Sequence, residues 1–244
     1  MSKIEENSIT VGWIDNGATE GAFTASIAQL LLGAEKYDLK INGFVRSVGS
    51  QIGRNRQKVI DLWYKSKSSE WLLFIDSDIV FTPEDVQKLL HFSDKNKRPV
   101  VSGIYFISFD REVSIMEPTP CIFNLDEKKE KLKRLSEIPV DSLVKVDVTG
   151  LGFCLINRSA ITKLIKISPK ESFFYEYARR DGYFLGEDVT FFIKLKKTGI
   201  QAYAHTGVLL KHIKPFCLDV AYNNLWKKNE DFILNKEYAV PQNK

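Results

Sequence analysis

The chain has 244 residues, room for one α/β domain or two small ones, and its 44% hydrophobic content is enough for a real core. The formal net charge of +4 permits a nucleic-acid partner without marking one. Three scattered cysteines, Cys121, Cys154 and Cys217, with no C-x-x-C spacing, exclude a disulfide framework and a zinc ribbon and point to reduced thiols. The polar, acidic start Met1-Ser2-Lys3-Ile4-Glu5-Glu6 is no signal peptide, and no run of about 18 apolar residues occurs, so a cytoplasmic protein is expected.

Residues 9–14 read as a first strand, and Asp15-Asn16-Gly17 turns the chain. Residues 20–32 read as a buried helix ending near Gly33. A second, weaker strand covers 39–48. A helix over 52–66 follows, with Ile52, Val59, Ile60 and Trp63 on one face and Arg54, Arg56, Lys58 and Asp61 assigned to the other. Glu70 to Ile75 is the next strand. Thr82-Pro83-Glu84-Asp85 has the composition of a helix start, with a hydroxyl cap, proline in the first turn and acids near the positive end of the dipole. Residues 99–106 form another strand. The alternation of strands and helices predicts a mostly parallel sheet with helices on both faces.

Residues 107–142 break that rhythm with Pro118, Pro120, Pro139 and a dense charge run over 126–134, read as a solvated excursion or hairpin, or else an acceptor-side loop. Val144, Val146 and Val148 alternate with polar residues as a half-buried strand. Thr149-Gly150-Leu151-Gly152 leads into a strand over 153–156, then a short helix over 159–165. Gly186-Glu187-Asp188 opens a helix that ends before Gly199. A strand is expected over 201–205, residues 208–213 carry the second notable histidine, and an unstructured tail is expected after Tyr238.

The stretch Trp71-Leu72-Leu73-Phe74-Ile75 reads as a strand buried on both faces, and Asp76-Ser77-Asp78 stands at its carboxyl end, where open α/β sheets bind ligands. Two half-buried carboxylates repel each other unless they are paired or share a cation. The arrangement points to a divalent metal and a phosphate-bearing substrate.

Four landmarks now stand in order: Asp76-Ser77-Asp78, Thr149-Gly150-Leu151-Gly152-Phe153, Gly186-Glu187-Asp188 and Lys211-His212. Together they resemble the GT-A glycosyltransferases, most closely the family-2-like ones, over roughly residues 9–215. The resemblance implies a Rossmann-like three-layer α/β sandwich in a single domain over 1–240. Its nucleotide-sugar-binding half would be 9–106, the excursion 107–142, the acceptor-side half 143–215 and a C-terminal segment 216–244. It implies Mn²⁺ or Mg²⁺ held by Asp78 and His212, with Asp76 on the metal, a metal-bound water or the ribose. A UDP- or GDP-sugar donor would be bound by Asp15, Arg54, Asp76, Ser77, Gly150 and Glu187. Asp188 would be the general base if the enzyme inverts, and would serve the acceptor without being the base if it retains. His205 is the rival metal ligand, and His91 reads as structural.

The chain also departs from the family. It has Gly12-Trp13-Ile14-Asp15 where many members have Pro-Thr, and it lacks both an acid at the second strand and the Q-x-x-R-W motif of processive synthases. That favours transfer of one sugar per encounter. A sugar nucleotidyltransferase would carry G-x-G-x-R after the first strand, and Asp15 to Gly21 holds no basic residue. A non-catalytic sugar-binding module is the remaining alternative. The acceptor is open. Arg179-Arg180 and the basic balance are compatible with an anionic one, and with a nucleic acid among others.

Overall fold

A computed structural model of the chain describes residues 4–107, 118–126, 131–135, 138–178, 180, 182–215 and five further positions between 220 and 228. Residues 1–106 and 120–213 form one compact unit, and 107–119 with 214–244 form a second. Arg179, Cys217 and the tail after Tyr238 lie outside the described residues.

The first unit is organised by β1 (Ser8–Asp15), β2 (Lys40–Val48) and β3 (Trp71–Ile75). β4 (Ile79–Val80) is short, and β5 is Val100–Ile104. β6 (Ile122–Asp126) and β7 (Lys131–Arg134) come from the predicted excursion. β8 (Leu143–Val146), β9 (Val148–Thr149), β10 (Phe153–Asn157), β11 (Ala202–Leu209) and β12 (Lys211–His212) follow. The main sheet has the order β8-β11-β5-β10-β3-β1-β2. β1 runs parallel to β2 and β3, and β11 runs parallel to β5. β10 is antiparallel to both β3 and β5, and β8 is antiparallel to β11. The sheet is therefore mostly parallel, with β10 reversed in its middle and β8 reversed at one edge.

The central reversal positions the site. All five residues of β3 are buried, and each such side chain stabilises the fold by roughly 1.5–3 kcal/mol. β3 pairs on both edges, with β1 on one side and β10 on the other. In the latter pairing Phe153 lies opposite Ile75, and the Asp76 amide donates to the Gly152 carbonyl at 2.9 Å. The glycine-bearing segment is thereby brought beside the two aspartates.

The helices are α1 (Gly21–Gly33), α2 (Ile52–Ser66), α3 (Pro83–Phe92), α4 (Arg158–Ile167) and α5 (Glu187–Lys197). α3 begins with the expected cap, a reciprocal box between Thr82 and Asp85. α1 differs from expectation. Only Phe23, Ser26 and Leu30 are buried, and Leu31 and Leu32 are exposed. Its small and apolar residues surround the whole helix, yet only one stripe is buried, toward β4 and α3. The strand expected over 201–205 runs further, as the eight-residue β11, and is followed by the two-residue β12 that carries His212.

In the excursion, β6 and β7 pair as a hairpin, and β9 completes a three-stranded sheet. Lys131, Lys133 and Arg134 face solvent there, as the charge pattern suggests. Residues 108–117, 127–130 and 136–137 lie outside the described residues. Among those described, no helix is long and apolar enough to cross a membrane. Cys121 and Cys154 are buried free thiols, and burial pushes the Cys121 thiol up to about 12.

Candidate active site

The carboxyl end of β3 carries Asp76, Ser77 and Asp78, each half-buried. The Ile79 amide donates to the Asp76 carbonyl at 3.0 Å, which turns the chain into β4. The Ser77 carbonyl accepts from the Glu20 amide at 3.1 Å and so ties the β1–α1 loop to this turn.

His212 reaches Asp78 because β12 pairs antiparallel with β4, with His212 opposite Ile79, and the Ile213 amide donates to the Asp78 carbonyl at 2.9 Å. The imidazole Nδ1 lies 2.8 Å from the Phe106 carbonyl, and Nε2 lies 3.1 Å from Asp78 Oδ2. A carbonyl can only accept, so Nδ1 carries a proton. In the neutral ring Nε2 is then an acceptor facing a carboxylate, an arrangement satisfied by a proton or a metal cation between them. Among the described residues no three His, Cys, Asp or Glu side chains meet as a ready cage. His205 has a different setting. It is buried in β11, where its ring lies 4.2 Å from that of Phe92 and its Nδ1 accepts from the Gly207 amide. His91 is exposed on α3.

The centre of the site is a residue assigned by sequence to the wrong face of α2. Arg56 stands 3, 4 and 7 residues before Val59, Ile60 and Trp63, and this spacing puts it on the buried stripe. Its side chain is 5% exposed. Nη1 donates to Asp188 Oδ1, and Nη2 to Asp76 at 3.1 and 3.3 Å. Nε lies 3.9 Å from Glu187 Oε1 and has no hydrogen-bond partner among the described residues. Burial works against the guanidinium charge, but Asp188, Asp76 and Glu187 outweigh it and hold Arg56 protonated above its ordinary range. Spacing thus contained the signal, and the habit of placing arginines outside concealed it.

Asp188 sits in the first turn of α5, after the N-cap Gly186. Its second oxygen accepts from the Leu151 amide at 3.1 Å. Burial pushes this carboxyl up to about 7, with Arg56 opposing and Glu187 and Asp76 reinforcing the rise. Burial likewise raises Asp76 above the usual carboxylate range, against the pull of Arg56. One guanidinium among three acids leaves an excess of negative charge for a cation or a proton to answer.

Gly150 and Gly152 are needed for close approach to Tyr105. The Gly152 amide donates to the Tyr105 hydroxyl at 3.2 Å, and the Tyr105 ring meets His212 edge-on at 5.1 Å. A Cβ on Gly152 would lie 2.8 Å from the Tyr105 ring and 3.0 Å from Asp76 Oδ2. A Cβ on Gly150 would overlap the Tyr105 hydroxyl and stand 2.6 Å from Cys121 Sγ. Gly150→Ala is expected to destabilise the protein by about 1–3 kcal/mol through overpacking, read as a lowered thermal midpoint. Tyr105 is the second site residue that the sequence reading missed.

Among the described residues, Asp15 and Arg54, both expected to bind the donor, make no hydrogen bond or ion pair with Arg56, Asp76 or Asp188. Asp15 is buried and accepts from Arg46 Nε at 2.6 Å, Arg46 Nη2 at 2.8 Å, the Gly17 amide at 2.8 Å and Trp13 Nε1 at 3.2 Å. Chiefly the Arg46 contact holds its carboxyl below the usual range. Four donors thus occupy its oxygens. Arg54 is exposed and lines a groove of about 800 Å³ with Gln51, Lys58 and Phe174.

A family model described as glycosyl transferase family 2 matches residues 8–162. No curated relative matches the sequence. Among solved structures, A197 from STIV is similar at 22% identity and a TM-score of 0.53, over 84% of this chain and 86% of that one. GalNAc-T7, solved with UDP, GalNAc and Mn²⁺, is similar at 9% identity and a TM-score of 0.54, over 87% of this chain and 45% of that one. At such identities the likeness is one of fold, and the shared fold is GT-A. With more than half of its length matched by the family model, this chain belongs to glycosyl transferase family 2.

Proposed function

We propose that the protein transfers one sugar per encounter from a UDP- or GDP-sugar to an acceptor hydroxyl, with metal dependence and inversion at the anomeric carbon. The observation that carries this reading is the single guanidinium of Arg56 touching both Asp76, on the donor side, and Asp188, at the start of the acceptor-side helix. Donor acid and base candidate thus stand within one side chain's width.

Asp78 and His212 would hold the cation together with the donor diphosphate. When bound, a divalent cation neutralises the charge that gathers on the leaving oxygen as the glycosidic bond breaks. Asp188 accepts the proton of the acceptor hydroxyl. The acceptor oxygen forms a bond to the anomeric carbon while the carbon–oxygen bond to the nucleoside diphosphate breaks on the opposite face. Gly150 and Gly152 leave room for the sugar to approach the backbone. Asp76 and Ser77 lie at the turn facing the nucleotide, and Glu187 positions the start of α5.

The base must be ionised to accept a proton. With its carboxyl near 7, kcat/KM is expected to fall about tenfold per unit as pH drops below that value, and to level off above it. Measuring donor turnover across pH checks this, and a profile flat through pH 7 argues against Asp188 as base. A panel of UDP- and GDP-sugars assayed for hydrolysis with and without Mn²⁺ tests the activity itself. Absent turnover across the panel would sink the enzymatic reading in favour of a binding module.

A further inference from the structure

The geometry points to Arg56 as the positioning residue that aims the Asp188 carboxylate and keeps it ionised, by clamping it through one arm of a fork whose other arm grips Asp76. This rests on the reading of Asp188 as the general base.

Both oxygens of Asp188 are tethered from different walls. Oδ1 accepts from Arg56 on α2, and Oδ2 accepts from the Leu151 amide between the two glycines. Two tethers fix the plane of the carboxylate, and each oxygen keeps a lone pair for an incoming hydroxyl. The other arm of the same guanidinium spans both oxygens of Asp76. Because the guanidinium is planar and rigid, it holds the two acids at a set separation, which an ammonium cannot do. The helix that carries Arg56 is firmly anchored, since Val59, Ile60 and Trp63, on the same stripe, are wholly buried.

Electrostatics requires the clamp as much as geometry does. Asp188 is faced by Asp76 from the end of β3, Glu187 from α5, Tyr105 from beyond β5, Cys121 from before β6 and Cys154 from β10. Burial raises the tyrosine and both thiols, so these three are neutral at ordinary pH. Burial and, after it, the two neighbouring acids favour the protonated, inactive form of Asp188, while Arg56 and, less strongly, the Leu151 amide favour the ionised form. A merely structural arginine would lower activity equally at all pH values when replaced. A clamp that sets the ionisation of the base moves the pH profile.

The test follows kcat/KM for hydrolysis of a UDP-sugar with Mn²⁺ from about pH 5 to pH 9, in the wild type, Asp188→Asn, Arg56→Gln and Arg56→Lys, with thermal midpoints recorded alongside. Arg56→Gln is expected to shift the acid limb up by about one unit or more, a loss of about tenfold at neutral pH that is regained as pH rises. Arg56→Lys keeps the charge and loses the fork, so its limb stays near the wild-type position while its plateau falls. A folded Arg56→Gln protein with an unmoved limb overturns the inference. If Arg56→Gln does not fold, Arg56→Lys decides together with its thermal midpoint: a lowered plateau at an unchanged midpoint supports the clamp, and either wild-type behaviour or a plateau that falls only along with the midpoint overturns it. A wild-type profile with no limb that Asp188→Asn removes defeats the base reading itself. An Asp188-dependent limb that ignores Arg56 defeats only the clamp.

Discussion

Asp188→Asn is expected to lower turnover by ~10²-fold or more while nucleotide binding stays near normal. The amide has nearly the shape of the carboxylate but cannot take the proton of the acceptor hydroxyl. It can still accept from the Leu151 amide, so the start of α5 should keep its place. Its NH₂ group, however, would face the Arg56 guanidinium unless the side chain turns its oxygen that way. The replacement removes one of three acids around a single cation, so the charge excess in the site falls and folding should not suffer on electrostatic grounds. Single-turnover kinetics together with nucleotide titration separate the two effects. Turnover within a few-fold of wild type would refute the assignment, whatever happened to binding.

His212→Ala is expected to raise the Mn²⁺ concentration needed for half-maximal turnover by about 10–100-fold or more, the range seen even when outer partners of metal ligands are lost. The ring is held by the Phe106 carbonyl on one nitrogen and meets Asp78 with the other, so its position does not depend on substrate. Asp78→Asn should act in the same direction, since a neutral amide is a poorer ligand for a hard cation. The control is His205→Ala. That ring lies against Phe92 inside the sheet, so its loss should lower the thermal midpoint and leave the Mn²⁺ requirement unchanged. Equal Mn²⁺ dependence in wild type and His212→Ala would remove His212 from the metal site.

Much of this architecture is legible along the chain because its causes are local. The uniform apolar run of β3 announces a strand buried on both faces, with two acids just past its end. Thr82, Pro83 and Asp85 announce the start of α3 through capping chemistry alone. The Glu187-Asp188 pair announces the start of α5, since acids favour the first turn of a helix. Residues 52–66 carry a helical period with the same limits in sequence and structure.

What stayed hidden depended on partners distant in sequence. Asp15 at the end of β1 looks free for a nucleotide until β2 places Arg46 beside it, 31 residues away. Arg54 looks better placed for phosphate than Arg56, yet only Arg56 turns toward the sheet. A buried arginine is costly unless acids meet it, and its acids come from β3 and, 132 residues on, from α5. Tyr105 matters only because two glycines let it in.

The sequence by itself determined the family and the α/β class, and it marked the acids and the late histidine as candidates, because burial patterns, caps and charge costs act over a few residues. The tertiary structure alone decided which of them meet. It set Asp78 against His212 through the β4–β12 pairing and Asp76 and Asp188 onto the two arms of Arg56. It also withdrew Asp15 into an ion pair. The physical reason is that a buried charge is settled by its nearest opposite charge, and that neighbour is chosen by strand register and helix packing, not by position along the chain.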